Sequence, residues 1–217
     1  MKNITNKKIT DYTDSLFKGL NKKFNDLRIY AEENNIPIIQ KETESLLISI
    51  LQMTRPKNVL EIGTAIGYSA SVMSEIINDA KIITLERSEF MYDAAIKNIE
   101  DLGHDENIDI IFGDAREELE ILAQNSSSFD LVFIDAAKSH YMKFWEEIRK
   151  MTKSGSIIIC DNVLQRGMTV DSAYDTHDKH RTNIKNMREF LEYITSLEDV
   201  HTSILAVGDG VSISYIK

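Results

Sequence analysis

From Val59 onward, short unbroken apolar runs alternate with stretches where apolar residues return every three or four positions. The runs predict strands over Val59–Ile62, Ile82–Glu86, Ile108–Phe112, Leu131–Asp135 and Ile157–Asp161. The stretches between them predict helices over Tyr68–Ile77, Glu89–Asp101, Ala115–Leu122 and Tyr141–Met151, and a longer one from about Thr182 to Ser196. Continuously apolar strands alternating with helices imply a parallel sheet covered on both faces. The end of the chain changes character: Ser203–Val207 and Val211–Ile216 flank Gly208-Asp209-Gly210, a hairpin signal. Residues 1 to about 55 read as helices, through Ile9, Tyr12, Leu16 and Leu20, then Leu27, Tyr30 and Ala31, then Leu46, Leu47, Ile50 and Leu51. Pro37 and Pro56 mark breaks in this lead-in. The lead-in carries no catalytic constellation, so a lid or a subunit contact is its expected role. A length of 217 residues suits one domain, 1–217, with 1–55 as its helical lead-in.

The predicted strand ends carry the chemistry. Glu61 precedes Gly63-Thr64-Ala65-Ile66-Gly67-Tyr68-Ser69, a tight loop before a helix. Gly63 and Gly67 allow a sharp turn and a close ligand approach, and the free amides of a helix start hold polar atoms. The spacing is Gly-x-x-x-Gly, unlike the Gly-x-Gly-x-x-Gly of dinucleotide folds, and alone it reads as an ordinary turn. Glu86 ends the second run, placed to accept from ribose hydroxyls, and Gly113-Asp114-Ala115 follows the third. Acids at three successive strand ends beside this loop resemble the S-adenosylmethionine site of class I methyltransferases. Calorimetry on Gly63→Val is expected to show lost cofactor binding in a protein that still folds.

The fourth and fifth runs end in Asp135-Ala136-Ala137-Lys138 and Asp161-Asn162-Val163-Leu164. Asp135, Asp161 and Asn162 offer hard oxygen donors suited to Mg²⁺ and too few to fill its octahedron, which leaves positions for water and substrate. Singly, each has a plainer reading as a turn or a helix cap. Together with the glycine loop, these segments resemble the cation-dependent O-methyltransferases, the group that includes catechol and caffeoyl-CoA methyltransferases. Asn35-Ile36-Pro37-Ile38 and Val207-Gly208-Asp209-Gly210 look closest to the bacterial branch that methylates 5-hydroxyuridine in tRNA. The resemblance implies a Rossmann-like, seven-stranded, mostly parallel sheet with a terminal antiparallel hairpin. It implies S-adenosylmethionine and Mg²⁺ or Mn²⁺ as cofactors, with Asp135, Asp161 and Asn162 on the metal and Lys138 as the base. Glu61, Gly63, Gly67, Ser69, Glu86, Asp114, Ala115 and Asp135 would form the cofactor site. Catechol enzymes carry a substrate-binding acid before the final hairpin turn, where this chain has Leu205, Ala206 and Val207.

Composition changes the picture in two places. The formal net charge of −10 argues against a general nucleic-acid binder. Local charge matters more for docking: Arg166 follows the Asp161-Asn162 loop, Lys179, His180, Arg181, Lys185 and Arg188 form a basic cluster where a helix begins, and Lys2, Lys7, Lys8, Lys18, Lys22 and Lys23 make the amino-terminal region basic. Arg166 and Arg181 are therefore candidate contacts to a tRNA substrate, with ordinary solvated faces as the competing reading and a small catechol-like substrate as the alternative. The lone Cys160 excludes an internal disulfide and fits a reducing cytoplasm. Its apolar run points to a buried packing residue. No apolar run reaches the ~20 residues of a membrane helix, and Met1 to Thr10 do not read as a signal peptide. The expected assembly is a homodimer. Among the histidines only His140, near Lys138, is placed to face the pocket. Two rival classes, a nucleotide-dependent dehydrogenase and a non-catalytic S-adenosylmethionine-binding regulator, would not need the metal trio.

Overall fold

The computed structural model describes residues 6–171, 174–175 and 180–217, so Lys2, His177 and Lys179 lie outside the described residues. The lead-in forms α1 (Lys7–Leu16), α2 (Lys22–Glu33) and α3 (Lys41–Thr54). Then follow β1 (Asn58–Ile62), α4 (Tyr68–Ile76), β2 (Lys81–Glu86), α5 (Glu89–Leu102), β3 (Ile108–Phe112), α6 (Ala115–Gln124), β4 (Leu131–Ile134), α7 (Tyr141–Lys150) and β5 (Ile157–Cys160). The chain ends in α8 (Arg181–Ser196), β6 (Val200–Leu205) and β7 (Val211–Ile216). The strands form one seven-stranded sheet in the order β3-β2-β1-β4-β5-β7-β6. β1 to β5 run parallel, while β7 is antiparallel to both β5 and β6. The sequence reading of the sheet and its terminal hairpin is met.

Alternation along the strands divides the core. Val59, Ile82, Leu131, Phe133 and Ile159 pack toward the lead-in, α4 and α5. Leu60, Ile62, Val132, Ile134 and Ile158 pack on the other face with α6, α7 and α8. There Trp145 meets Phe190 edge-on at 6.0 Å, and Cys160 is fully buried, both as packing residues. The expectation of a strand at Ser203–Val207 is corrected: β6 begins earlier, at Val200, and stops at Leu205. The register sets this, since Val200 pairs with Ile216 and Leu205 with Val211, leaving Ala206 and Val207 to the turn.

Two features of the sheet place the site. The strand order reverses between β1 and β4, the edge where open parallel sheets hold ligands. The register aligns Ile62 with Ile134 and Ile134 with Cys160. The next residues, Gly63, Asp135 and Asp161, therefore leave the sheet side by side. Their backbone continues the ladder: the Asp135 amide donates to the Ile62 carbonyl at 3.0 Å, and that of Asp161 to Ile134 at 2.9 Å. β4 and β5 end one residue earlier than the sequence implied, which leaves both acids in loops.

The lead-in is tied down by a buried charge pair. Arg28 of α2 donates to Glu44 Oε2 of α3 at 2.5 Å, to the Tyr68 hydroxyl at 3.2 Å and to the Ile39 carbonyl at 3.0 Å. The bond to Ile39 holds the segment entering α3. Among the described residues no helix is long and apolar enough to cross a membrane.

Candidate active site

A cavity of about 300 Å³ opens at the carboxyl ends of β1, β2 and β4. Gly63, Ser69, Glu86, Asp114, Ala115 and Asp135 line it, as the sequence reading expected, and so does His140. Pro37, Ile38 and Ile39 of the lead-in, Tyr68, Met91 and Phe144 complete its walls and were missed. The Asn35-Ile36-Pro37-Ile38 segment, noted only as a family likeness, was the one signal for the lead-in's share.

Glu61 and Gly67, expected in the cofactor site, lie outside the cavity lining. Glu61 is fully buried beneath the wall, where Ser69 Oγ donates to one of its oxygens and Thr84 Oγ1 to the other, each at 2.5 Å. Thr84 and Thr64 hydroxyls meet at 2.6 Å. Burial pushes the Glu61 carboxyl up to about 7, against the two hydroxyl bonds that favour its charge. Glu61 therefore anchors Ser69 and Thr64, which do face the cavity. Gly67 opens α4 with φ 79°, and a Cβ there would come within 2.9 Å of the Ile99 side chain. Its glycine serves the packing of α4 on α5. Gly63 has φ 104°, and a Cβ would fall 2.1 Å from the Asp135 carbonyl oxygen. The glycine is required by that backbone crossing before any ligand is considered.

The remaining wall acids are already oriented. Glu86 accepts the amide of Ala65 at 2.8 Å on one oxygen and those of Arg87 and Ser88 at 3.0 and 2.8 Å on the other. It stitches the loop after β1 to the loop after β2. Asp114 caps α6 through the Arg116 amide at 2.9 Å and pairs with its guanidinium at 2.6 Å. Those bonds hold its carboxyl well below the usual carboxylate range.

Beside the cavity stands a second cluster. Lys138 Nζ donates to Asp135 Oδ1 at 3.0 Å, to Asn162 Oδ1 at 2.8 Å and to the Tyr141 hydroxyl at 3.1 Å. Tyr141, missed from sequence, donates in turn to the Asp161 carbonyl at 2.9 Å. Asp161 Oδ1 accepts its neighbour's amide, from Asn162, at 2.7 Å and sits 3.5 Å from Thr43 Oγ1 of α3. Its Oδ2 is buried without a partner. Burial, with Asp135 nearby, pushes the Asp161 carboxyl up to about 7. Burial alone would lower the Lys138 ammonium, yet Tyr141 and Asp135 outweigh it, so its pKa stands above the usual lysine value. Lys138 is held charged. Asp135 and Asn162 thus already converge on one cation, and Asp161 holds an unused oxygen: the donors fit a hard divalent ion. Among the described residues no three His, Cys, Asp or Glu side chains group to hold a metal, so a site here would need the Asn162 amide oxygen beside the two acids.

Neither candidate substrate residue lines the cavity. Arg166, four residues after Asn162 and with φ 57°, is exposed beside the buried Gln165, and Arg181 is exposed at the start of α8. Several of the clustered cations are engaged within the chain: Arg188 with the Thr169 carbonyl at 2.6 Å, Lys185 with Glu189 at 3.6 Å, Lys7 with Asp11 and Lys22 with Asp26 at 2.6 Å each. An acid in the hairpin turn, read from sequence only as part of a turn signal, also bears on this loop. Asp209, buried in the turn, accepts the Arg166 amide.

Residues 12–216 match the family model described as O-methyltransferase, so the chain belongs to the O-methyltransferase family and is an enzyme of that class. A Staphylococcus aureus structure provisionally described as a caffeoyl-CoA O-methyltransferase is 32% identical, with a TM-score of 0.88 over 95% of this chain and 98% of that one. An O-methyltransferase from Bacillus cereus, solved in complex with SAH, is 25% identical, with a TM-score of 0.83 over 96% of this chain and 97% of its own. A catechol O-methyltransferase of Niastella koreensis is 28% identical over 77% of each chain. The sheet is that of the class I methyltransferases, and the dehydrogenase and regulator readings fall away.

Proposed function

We propose that this enzyme transfers a methyl group from S-adenosylmethionine to a substrate hydroxyl oxygen with the aid of Mg²⁺ or Mn²⁺. The observation that carries this is the position of Asp135, which both lines the cavity and belongs to the oxygen cluster. A cofactor in the cavity would end beside the cluster, and the SAH-bound Bacillus cereus relative supports that cofactor class. In this reading Asp135, Asp161 and Asn162 would hold the cation, which supplies Lewis acidity that lowers a substrate hydroxyl's pKa. The chain does the rest. Glu86, Asp114 and the Ala115 backbone line the nucleoside end, and Ser69 is aimed by Glu61. Lys138 is the proposed base. To act so, Lys138 must give up its bonds to Asp135 and Asn162 and stand neutral before it accepts the hydroxyl proton. We read 1–217 as one domain, since α2 and α3 share a core with β1 and α4.

For the substrate we infer 5-hydroxyuridine in the tRNA anticodon loop, giving 5-methoxyuridine. Its vicinal 5-hydroxyl and 4-carbonyl oxygens could together chelate a cation held by Asp135, Asp161 and Asn162, and an anticodon loop presents its base unstacked. The exposed Arg166 and Arg181 support a polyanionic partner. A small catechol or caffeoyl-type substrate is the second reading. The names of the relatives and the pairing of Lys7, Lys22 and Lys185 with acids favour it. A cytoplasmic homodimer completes the proposal. The exposed Ile9, Tyr12 and Leu16 stripe on α1 supports the dimer, and light scattering tests it. The deciding assay offers labelled cofactor with hydroxylated tRNA, catechol and a caffeoyl ester, each with and without chelator. Transfer to tRNA alone, abolished by chelator, is the expected result. Transfer to the small molecules alone moves the assignment to the second reading, and chelator-resistant transfer removes the metal.

A further inference from the structure

The loop that carries Asp161 and Asn162 holds an unusual backbone. Asn162, Gln165 and Arg166 all have positive φ, at 55°, 47° and 57°, in a stretch of five residues. Non-glycine residues rarely adopt this conformation unless their surroundings impose it. Here the imposing element is the turn between β6 and β7. The Asp209 carboxylate accepts the Arg166 amide, the Asp209 carbonyl accepts the Leu164 amide at 3.1 Å, and the Gly210 carbonyl accepts the Val163 amide at 2.9 Å. Three amides of the loop, those of Val163, Leu164 and Arg166, are thus bound along the turn. The turn is itself fixed from behind, because Glu42 of α3 accepts the Gly208 amide at 3.0 Å and the Thr13 hydroxyl of α1 at 2.9 Å.

We propose that Asp209 is a positioning residue for the reaction: by holding the Arg166 amide it locks the 161–167 loop so that the Asp161 and Asn162 oxygens converge with Asp135. This rests on the proposed metal reading. Asp209 binds no ligand itself. It acts through the backbone, and the same bond sets where the Arg166 side chain leaves the loop. Of the bonds from the turn, the one to Arg166 alone comes from a side chain, so it is the one a substitution can remove.

The test compares Asp209→Ala with Asp209→Asn, which keeps an acceptor oxygen. Mn²⁺ affinity is read by electron paramagnetic resonance, SAH affinity by calorimetry, and amide exchange of residues 163–167 by mass spectrometry. In Asp209→Ala, Mn²⁺ should bind about 10–100-fold more weakly, as for supporting residues around a metal. The loop amides should exchange faster and kcat should fall in step, with SAH affinity unchanged. Asp209→Asn should restore most of each. Unchanged Mn²⁺ affinity and exchange in Asp209→Ala overturns the proposal while leaving the metal site standing. Equal losses of SAH and Mn²⁺ binding, unrescued by Asp209→Asn, reduce Asp209 to a general structural role and also overturn it. A wild-type enzyme that binds no Mn²⁺ overturns the metal reading and, with it, the function given to Asp209.

Discussion

The two halves of the site are built on opposite principles. On the β1–β3 side every acid is answered within the chain: Glu61 by two hydroxyls, Glu86 by three amides, Asp114 by a cap and a guanidinium. On the β4–β5 side two acids face one lysine, and Asp161 Oδ2 has no partner. The first half is a finished wall whose shape exists before any ligand arrives. The second keeps a buried carboxylate oxygen without a partner among the described residues, which costs stability in the free protein and would be relieved by the proposed cation. Substitutions in the two halves should therefore fail differently.

The largest effect belongs to the unfinished half. Asp161→Ala should reduce methyl transfer to background while leaving thermal stability unchanged or raised, because it removes an uncompensated buried acid. Calorimetric melting and a labelled-methyl assay on the same sample check this. A large loss of stability would show that Asp161 is answered by something other than a cation. Lys138→Met comes next. If Lys138 takes the hydroxyl proton, turnover should fall about 10²–10⁴-fold with cofactor affinity intact. A loss of only about twofold would leave Lys138 as a counter-charge for Asp135 and Asn162.

In the finished half, damage should appear first as instability. Gly63→Val was expected to block cofactor binding in a folded protein, but the Asp135 carbonyl occupies the space where a Cβ would go. Even Gly63→Ala should cost about 2–4 kcal/mol, combining a left-handed backbone with overpacking. Urea unfolding measures it. Stability equal to wild type, with cofactor affinity lost, would restore the original expectation.

This contrast also explains what could be read in the sequence. The strand-end acids were legible because a parallel sheet delivers every carboxyl end to one edge, so an apolar run closing in an acid locates a site residue. What an acid does there was not legible. Whether Glu61 faces a ligand or lies beneath it depends on Ser69 and Thr84, which the fold brings to it from another helix and strand. Gly67 looked like part of a ligand loop, yet it is explained by Ile99 of α5. Two contacts the sequence did not announce reach the site from afar. Thr43 reaches Asp161 across 118 positions and Asp209 reaches Arg166 across 43, with no periodicity or spacing to announce either contact. β6 was misplaced because hairpin register depends on its partner strand, and the flanking residues are apolar enough to permit either choice.

The smallest expected effect concerns the proton on Glu61. Its carboxyl titrates at about 7 in the folded protein, against about 4.3 in an unfolded chain. Between those values the folded state binds the extra proton, so the contribution of Glu61 to stability falls as pH rises through this window and levels off above it. The slope reaches at most about 1.4 kcal/mol per pH unit. Glu61→Gln keeps the shape and an acceptor for one hydroxyl but cannot ionise. The difference in stability between wild type and Glu61→Gln, from urea unfolding at intervals from pH 5 to 8, should therefore shrink or reverse against wild type as pH rises. Saturating Mn²⁺ should change that difference only slightly, since burial and the two hydroxyl partners act on Glu61 more strongly than the charge of Asp135 does. A pH-independent difference would mean that Ser69 and Thr84 keep Glu61 ionised throughout. A difference that Mn²⁺ abolishes would join Glu61 to the cation cluster and erase the boundary between the two halves.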